Sequence, residues 1–295
     1  NKKLLRFGNA YGLAGSPPIG LSCRKGLKPG IPNQDAYTVV HLPELSLYFV
    51  ADGHGQNGHA VAQWAADALP RRVVLDGRLG TAETGKALLD GFKGTQDGLV
   101  APNSRKRADC HMSGATCAAV VHDRSRQEIV IANVGTVQAV LGCGTDTDKL
   151  TAVRLTAEHK PNMAAERERI ENAGGCLVFD GYETHHVYAK SAQYPGLPMS
   201  RCLGDVLGHR DCGISASPDV QRRGLGAEDR LLLLCSDGVW EMMTPQEAVD
   251  IVAQFSREKA AVAAEKLVKE AWDRWINEEG GAVVDDITVM VVFLV

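Results

Sequence analysis

Three segments of the chain place aspartates where an apolar run meets a turn. Asp52 follows the run LSLYFVA, Asp237 follows LLLLCS, and Asp285 with Asp286 precedes ITVMVVFL. If these strand ends converge in space, the like charges repel and raise one another's pKa unless a cation neutralises them. An all-oxygen ligand set suits Mg²⁺ or Mn²⁺ better than zinc. The three segments together therefore favour a site for hard divalent cations.

A histidine stands beside the first of these aspartates. Residues 52–55 read Asp-Gly-His-Gly. A turn makes use of glycine but has no need of an imidazole, whereas an imidazole can exchange protons near neutral pH. Aspartate and glycine are common turn residues, so any one of these segments alone could be a plain turn.

Composition limits the possible classes of protein. The 295 residues carry a net charge of −4 and are 44% hydrophobic, which gives no case for nucleic-acid binding. No run of about 18 apolar residues predicts a membrane span. The 8 cysteines include no Cys-x-x-Cys pair, so we expect reduced thiols in an intracellular protein of the cytoplasm or nucleus. Because the chain starts at Asn1 without methionine, we expect its natural N-terminus, with any targeting signal, to lie upstream.

The elements that must position these residues come in blocks. Strand-like runs cover residues 36–42, 45–51, 115–122, 128–134, 137–143, 229–237 and the C-terminus. Helical periodicity or capping signals mark residues 61–69, 84–99, 162–175, the stretch from 244, and 257–277. Grouped strands and consecutive helices predict an α+β fold with antiparallel sheets in one domain, residues 1–295. Residues 176–198 lack a clear period, and we predict a loop there.

Eight motifs, in order, resemble those of the metal-dependent type-2C serine/threonine protein phosphatases. They are YFVADGHG (48–55), SGATC (113–117), IANVG (131–135), LTAEHKPN (155–162), ERIENAGG (168–175), PMSRCLGD (198–205), LLLCSDGVWEMM (232–243) and DDITVMVV (285–292). The resemblance implies an antiparallel β-sandwich of two sheets, flanked by helix pairs on both sides, with a binuclear metal centre at one edge. It also implies hydrolysis of phosphoserine and phosphothreonine in phosphoprotein substrates.

Applied position by position, the resemblance implies a role for each of the following residues. Asp52 would bridge both ions, Gly53 would lend its backbone carbonyl, and Asp237 and Asp285 would hold the other ion. The ions are expected to be Mg²⁺ or Mn²⁺, with Ca²⁺ as a substitute in crystals. A hydroxide held between them would attack phosphorus in line, and His54 would protonate the departing oxygen. The other interpretation of His54, a turn residue hydrogen-bonded to a neighbour, stays open.

The chain departs from the family pattern around its phosphate-binding residue. Where the family usually has an arginine, Lys28 is the nearest counterpart, and Lys25 or Arg24 could serve instead. A lysine binds phosphate as a point charge rather than as a bidentate fork. Gln34 replaces a frequent glutamate that holds a water bound to a metal ion, whereas Asp35 is retained.

A further departure concerns a weak third ion. Thr136 stands where the family has an acidic residue, and Glu241 stands where the partner aspartate often lies. This argues against a third ion but leaves the binuclear pair intact, with Asp286 as a supporting residue.

The alternative to this phosphatase is a catalytically weak or dead relative that acts as a binding or scaffold protein. The cysteine phosphatases are excluded because no cysteine is followed by an arginine at the required spacing, and the calcineurin-like enzymes because Asn-His-Glu is missing. We expect a monomer whose specificity comes from residues 176–198, since loops beside a rigid site often carry it.

Overall fold

Two antiparallel sheets stack face to face in the computed structural model, which describes residues 18–101, 108–145 and 149–294. The strands of this described part are β1 (Ile19–Arg24), β2 (Asp35–His41), β3 (Leu45–His54), β4 (Gly114–Asp123), β5 (Glu128–Val134), β6 (Gln138–Cys143), β7 (Thr151–Arg154), β8 (Gly175–Phe179), β9 (His185–Ala189), β10 (Pro195–Leu197), β11 (Leu203–Gly204), β12 (Asp219–Gly224), β13 (Asp229–Cys235) and β14 (Ile287–Phe293). The helices are α1 (Gly58–Val74), α2 (Thr84–Val100), α3 (Ala164–Asn172), α4 (Val206–Asp211), α5 (Asp237–Trp240), α6 (Pro245–Ala253) and α7 (Ala260–Glu278).

The sandwich core lies between the two sheets. One sheet runs in the order β1-β14-β13-β6-β7, and the other in the order β12-β5-β4-β3-β2, with β11 paired to β4. Between them pack apolar side chains such as Tyr48, Ile131, Leu141, Leu232 and Met290. Burial of each aliphatic side chain contributes about 1.5–3 kcal/mol. The strand ends that carry the predicted site residues are therefore fixed by a rigid core.

A helix pair covers the outer face of each sheet. Helices α1 and α2 bury Val61, Leu69 and Phe92 against the sheet that contains β3 and β4. Helices α6 and α7 bury Val249 and Leu267 against the sheet that contains β13 and β14. The predicted α+β sandwich with helix pairs on both sides is confirmed.

The predicted start of α6 is also confirmed. The Thr244 side chain accepts a hydrogen bond from the Glu247 backbone, the Glu247 side chain accepts one from the Thr244 backbone, and Pro245 takes the first helical position. Such a capping box satisfies two of the unpaired N–H groups at a helix start.

Residues 176–198 are not a loop, so that part of our prediction is wrong. Strands β8, β9 and β10 pair antiparallel into a small three-stranded sheet. A cluster that includes Ile170, Val187 and Cys212 supports it from beneath. The strands have only 3 to 5 residues, and half-exposed side chains such as Phe179 break the alternation that marks longer strands. Whether this sheet contacts substrate stays a prediction.

Two further expectations concern the whole chain. No helix of the described ranges is long and apolar enough to cross a membrane. All 8 cysteines lie within these ranges, and each is a free thiol. The predicted domain limits, residues 1 and 295, fall outside the described residues.

Candidate metal centre

The structure brings the three predicted aspartates to one edge of the sandwich. Asp52 lies near the end of β3, Asp237 begins α5, and Asp285 lies just before β14. The carboxyl groups of Asp52 and Asp237 lie close enough to shift each other's pKa. Burial and the neighbouring charge of Asp237 raise the pKa of Asp52 well above its usual value. Burial and Asp285 likewise raise the pKa of Asp237. The three acidic groups thus share one electrostatic environment.

This crowded arrangement fits a bound cation. The Asp52 Oδ2 atom is buried and has no hydrogen-bond partner among the described residues, which is costly for a carboxylate unless a cation binds it. The three aspartates do not form a group whose donor atoms all lie within 4.8 Å of one another, so they do not converge on one point. The ligands of two ions about 3.5–4 Å apart are spread more widely than the ligands of a single ion. The donor set consists of oxygens, which suits Mg²⁺ or Mn²⁺.

A buried carboxylate beneath the site ties the two sheets together. Asp35 pairs with Asp52 in the β2–β3 register. Its Oδ2 accepts hydrogen bonds from Ser236 Oγ at 2.9 Å and from Thr288 Oγ1 at 2.6 Å. Burial raises the pKa of Asp35 to about 7, although these hydroxyl groups lower it. Because Ser236 precedes Asp237, Asp35 fixes the distance between the two strand ends.

Asp286 makes a second link across the same edge. Its Oδ1 accepts a hydrogen bond from the Gly26 backbone N–H and its Oδ2 one from the Gln34 backbone N–H, both at 2.7 Å. The Gln34 side chain donates to the Gly55 carbonyl at 2.7 Å. Gln34 and Asp286 therefore brace the loops that carry the site residues.

The absence of a side chain at residue 53 has a steric reason. A Cβ atom on Gly53 would lie 2.3 Å from the Gly58 carbonyl oxygen at the start of α1. The Gly53 backbone N–H donates to the Gln34 carbonyl at 3.1 Å. The glycine lets α1 begin directly against the site.

The structure distinguishes among the three candidate phosphate-binding cations. Lys28 Nζ forms an ion pair with Asp285, and its pKa is raised because Asp285, Asp52 and Asp286 outweigh the lowering effect of burial. Lys25 instead contacts backbone carbonyls of its own turn. The Arg24 guanidinium stacks 3.4 Å from the centre of the Trp272 ring. Only Lys28 of these three reaches the acidic edge.

Thr136 contacts the site through a neutral hydroxyl group. Its Oγ1 donates to Asp237 Oδ2 at 3.1 Å and lies 3.1 Å from Thr116 Oγ1. Glu241 follows one helical turn after Asp237, with its backbone N–H bonded to the Asp237 carbonyl at 2.9 Å. Thr136 therefore donates a hydrogen bond to Asp237 at the position where the family's pattern has an acidic side chain.

His54 has a partner from a remote part of the chain. Its Nε2 lies 2.5 Å from Asp205 Oδ2, a contact between residues 151 apart in the sequence. Burial lowers the pKa of His54, but Asp205 more than offsets this, so the pKa is raised. A neighbour within its own turn is therefore not what holds the imidazole. Its side chain is 22% exposed, whereas that of Asp205 is 1% exposed.

Sequence reasoning missed the residues around this pair. Asp205 closes the motif PMSRCLGD, and Cys202 Sγ donates to Asp205 Oδ2 at 3.1 Å. Gly114 makes room, since a Cβ there would lie 2.0 Å from Asp205 Oδ2 and 2.7 Å from His54 Nε2. The glycine-aspartate ending of the motif was the available signal, but nothing in the sequence joined it to His54.

Comparisons with known proteins agree with this geometry. The family model described as protein phosphatase 2C matches residues 33–278. The chain is 35% identical to probable protein phosphatase 2C 48 of Oryza sativa subsp. japonica, covering 95% of this chain and 84% of that protein. It is 33% identical to probable protein phosphatase 2C 34 of Arabidopsis thaliana, covering 83% and 71%.

Solved structures show the same architecture. A serine-threonine phosphatase 2C from Toxoplasma gondii superposes with a TM-score of 0.80 over 94% of this chain and 97% of that one, at 19% identity. A second phosphatase structure from Toxoplasma gondii gives a TM-score of 0.72 at 22% identity, covering 93% of this chain and 91% of that one. At these identities the superpositions establish the fold alone, and they support the predicted β-sandwich.

Proposed function

Because this chain belongs to the protein phosphatase 2C family and is thus a protein serine/threonine phosphatase, we propose that it hydrolyses phosphoserine and phosphothreonine with two divalent cations at the aspartate edge. The observation that carries this proposal is the meeting of Asp52, Asp237 and Asp285 at one edge, with a buried carboxylate oxygen that lacks a partner among the described residues. Mg²⁺ and Mn²⁺ suit this donor set.

Asp52, Gly53, Asp237 and Asp285 would hold the two ions. When bound, such ions supply an activated water and offset the charge on the phosphoryl oxygens. Asp35 and Asp286 keep the ligands in register through the hydrogen bonds described above.

His54 acts as the proton donor in this proposal. Asp205 holds Nε2, so Nδ1 is the nitrogen left to meet the departing seryl or threonyl oxygen. A proton given to that oxygen in the transition state typically accelerates a reaction by a factor of about 10²–10⁴. Lys28 is the basic residue placed to bind the phosphate group, since its ammonium group lies among the aspartates.

The substrates in this proposal are phosphoproteins, recognised in part by the three-stranded sheet of β8, β9 and β10. Exposed side chains on this sheet and its connecting turn, Val178, Phe179 and Tyr182, offer apolar contacts to a peptide.

Asp237→Asn tests the site directly. The substitution removes one negative charge at a metal ligand, and we expect hydrolysis of a phosphothreonine peptide in Mn²⁺ to fall by at least about 100-fold, since metal-bound chemistry supplies much of the barrier reduction. Asp97→Asn is the matched control, because Asp97 is exposed on α2 and, among the described residues, its single ion pair is the 3.9 Å contact with Lys93. Circular dichroism and thermal unfolding verify that both variants fold.

Two results would overturn the proposal. Undiminished turnover in folded Asp237→Asn would place the reaction elsewhere. Wild-type protein that shows no turnover at any concentration of Mn²⁺ or Mg²⁺ would instead favour the scaffold interpretation.

A further inference from the structure

A second cluster of metal-ligating atoms lies beside the aspartate edge. His54, Cys202 and Asp205 each offer one donor atom, and all three atoms lie within 4.8 Å of one another. The Asp205 Oδ2 atom is 2.5 Å from His54 Nε2 and 3.1 Å from Cys202 Sγ. Among the described residues, no other group of three histidine, cysteine or acidic side chains meets so closely.

One further feature indicates that this cluster can take a ligand. The Asp205 Oδ1 atom is buried and has no hydrogen-bond partner among the described residues, and Asp205 is 1% exposed. An unpaired buried carboxylate oxygen costs free energy unless something binds it.

We propose that His54, Cys202 and Asp205 form a separate site for a soft divalent cation, with Zn²⁺ as the natural candidate, and that occupation of this site inhibits the enzyme. The donor set of one nitrogen, one sulfur and one oxygen matches zinc sites that keep a fourth position for water. Mg²⁺ and Mn²⁺ prefer oxygen ligands and would remain at the aspartate edge.

The required movement is small. Zn–S bonds of about 2.3 Å and Zn–N or Zn–O bonds of about 2.0–2.2 Å place tetrahedral donor atoms roughly 3.5 Å apart. The two short contacts of Asp205 therefore open by roughly 0.5–1 Å. Cys202 binds as a thiolate, and its proton passes to the solvent. The 22% exposed side chain of His54 gives the ion a way in from the active-site side, because Cys202 itself is fully buried.

Inhibition follows from the shared histidine and rests on the proposed function of His54 as proton donor. A zinc ion on Nε2 replaces the Asp205 contact that orients the imidazole. The affinity of the site for zinc does not depend on that function, so the two ideas can be tested apart.

The binding test uses Co²⁺, which gives a near-ultraviolet sulfur-to-cobalt charge-transfer band when a thiolate binds it. Protein saturated with Mg²⁺ is titrated with Co²⁺ in the wild type, in Cys202→Ser, which keeps a hydroxyl donor to Asp205, and in Cys212→Ser. Cys212 is the matched control, because it is another fully buried cysteine of the same apolar cluster. We expect the band to saturate at one equivalent in the wild type and in Cys212→Ser and to be missing in Cys202→Ser. A wild type without the band, or a band that survives in Cys202→Ser, overturns the site.

The kinetic test measures Zn²⁺ inhibition at saturating Mn²⁺, with each variant compared with its own rate without zinc. Loss of an outer-shell partner alone costs about 10–100-fold in metal affinity, so loss of the sulfur should raise the inhibitory Zn²⁺ concentration by at least about tenfold. Equal inhibition of wild type and Cys202→Ser, relieved by more Mn²⁺, would show that zinc acts only at the aspartate edge. If the wild type has no turnover, the proposed function fails while the cobalt band still decides the site.

Discussion

Gly114→Ala is a small change that separates the proposed proton donor, His54, from the proposed metal centre. Gly114 lies in β4, paired with His54 on one side and with Gly204 on the other. An added Cβ would lie 2.0 Å from Asp205 Oδ2, 2.7 Å from His54 Nε2 and 2.7 Å from the Leu203 carbonyl oxygen. Contacts of Cβ below 3.0 Å essentially never occur in proteins. The Asp205 carboxylate, which makes the tightest of these contacts, must therefore move, and the other two groups must shift by a smaller amount.

The contact between Asp205 and His54 is the one that the added Cβ disrupts. The Leu203 carbonyl belongs to the β11 backbone, and Asp205 is buried in a left-handed backbone conformation with φ of 43°. Because the added Cβ displaces the carboxylate oxygen that holds Nε2, the alanine should break the contact between Nε2 and Oδ2 and release the imidazole of His54, the more exposed partner. Loss of a general acid costs at least about 100-fold in kcat, which is about 2.7 kcal/mol. Overpacking of this kind destabilises the fold by about 1–3 kcal/mol.

The assay compares two substrates with different leaving groups. A phosphothreonine peptide releases an alkoxide that needs a proton, whereas p-nitrophenyl phosphate releases a stable phenolate. We expect Gly114→Ala to lower kcat for the peptide by about 100-fold and to lower kcat for p-nitrophenyl phosphate by less than about tenfold. Asp205→Asn, which adds no heavy atom, should give the same split. Gly224→Ala, another strand glycine with open space around its Cβ position, is the control and should match the wild type.

Two outcomes would refute this reasoning. If folded Gly114→Ala hydrolyses the peptide at nearly the wild-type rate, the contact between His54 and Asp205 has no role in the reaction. If both substrates lose activity equally in Gly114→Ala and Asp205→Asn, the damage lies in the metal centre rather than in proton donation.

Two other residues give separate predictions. Lys28→Met removes the cation that pairs with Asp285. The KM for a phosphopeptide should therefore rise, and the Mn²⁺ concentration for half-maximal activity should fall, each by about fivefold (about 1 kcal/mol for a partly exposed pair). Unchanged values of both in steady-state kinetics would show that Lys28 does not face the site. His122, which is 5% exposed, has its pKa lowered to about 4 by burial and by Arg124, so the unfolded chain takes up a proton below about pH 6.5 that the fold refuses until about pH 4. The free energy of unfolding should therefore decrease as the pH is lowered through this window. Between pH 7 and pH 5, the wild type should lose about 2 kcal/mol more than His122→Leu in urea unfolding. Equal losses in the two proteins would contradict the assignment.

The sheets and the meeting of the three aspartates at one edge could be predicted because their signals are local. Long apolar runs specify β3, β13 and β14, and the aspartates that follow or precede these runs mark where each strand leaves the core. The capping residues Thr244 and Glu247 likewise specify the start of α6 within four residues of sequence. Strand patterns and helix caps involve only a few neighbouring residues, so both can be recognised in the sequence alone.

The remaining features depend on contacts between distant residues. The sheet of β8 to β10 has strands too short to show a period, so only their pairing reveals them. Asp205 meets His54 across 151 residues, and no spacing rule connects them. The choice of Lys28 over Arg24 depends on a stacking contact with Trp272 in α7, which the local sequence does not encode.

The location of the site follows from how the two sheets are joined. Asp35 belongs to one sheet and accepts hydrogen bonds from Ser236 and Thr288 of the other, while the Asp286 carboxylate holds the loop between β1 and β2. These buried carboxylates need polar partners. Ser236 and Thr288 lie within three residues of Asp237 and Asp285, and Asp35 itself pairs with Asp52 in the β2–β3 register. The same bonds that close this edge of the sandwich therefore fix the spacing of the cation ligands. A substitution at Asp35 should consequently act on metal affinity and on stability together, whereas one at Asp205 should act on proton donation with the cation ligands left in place.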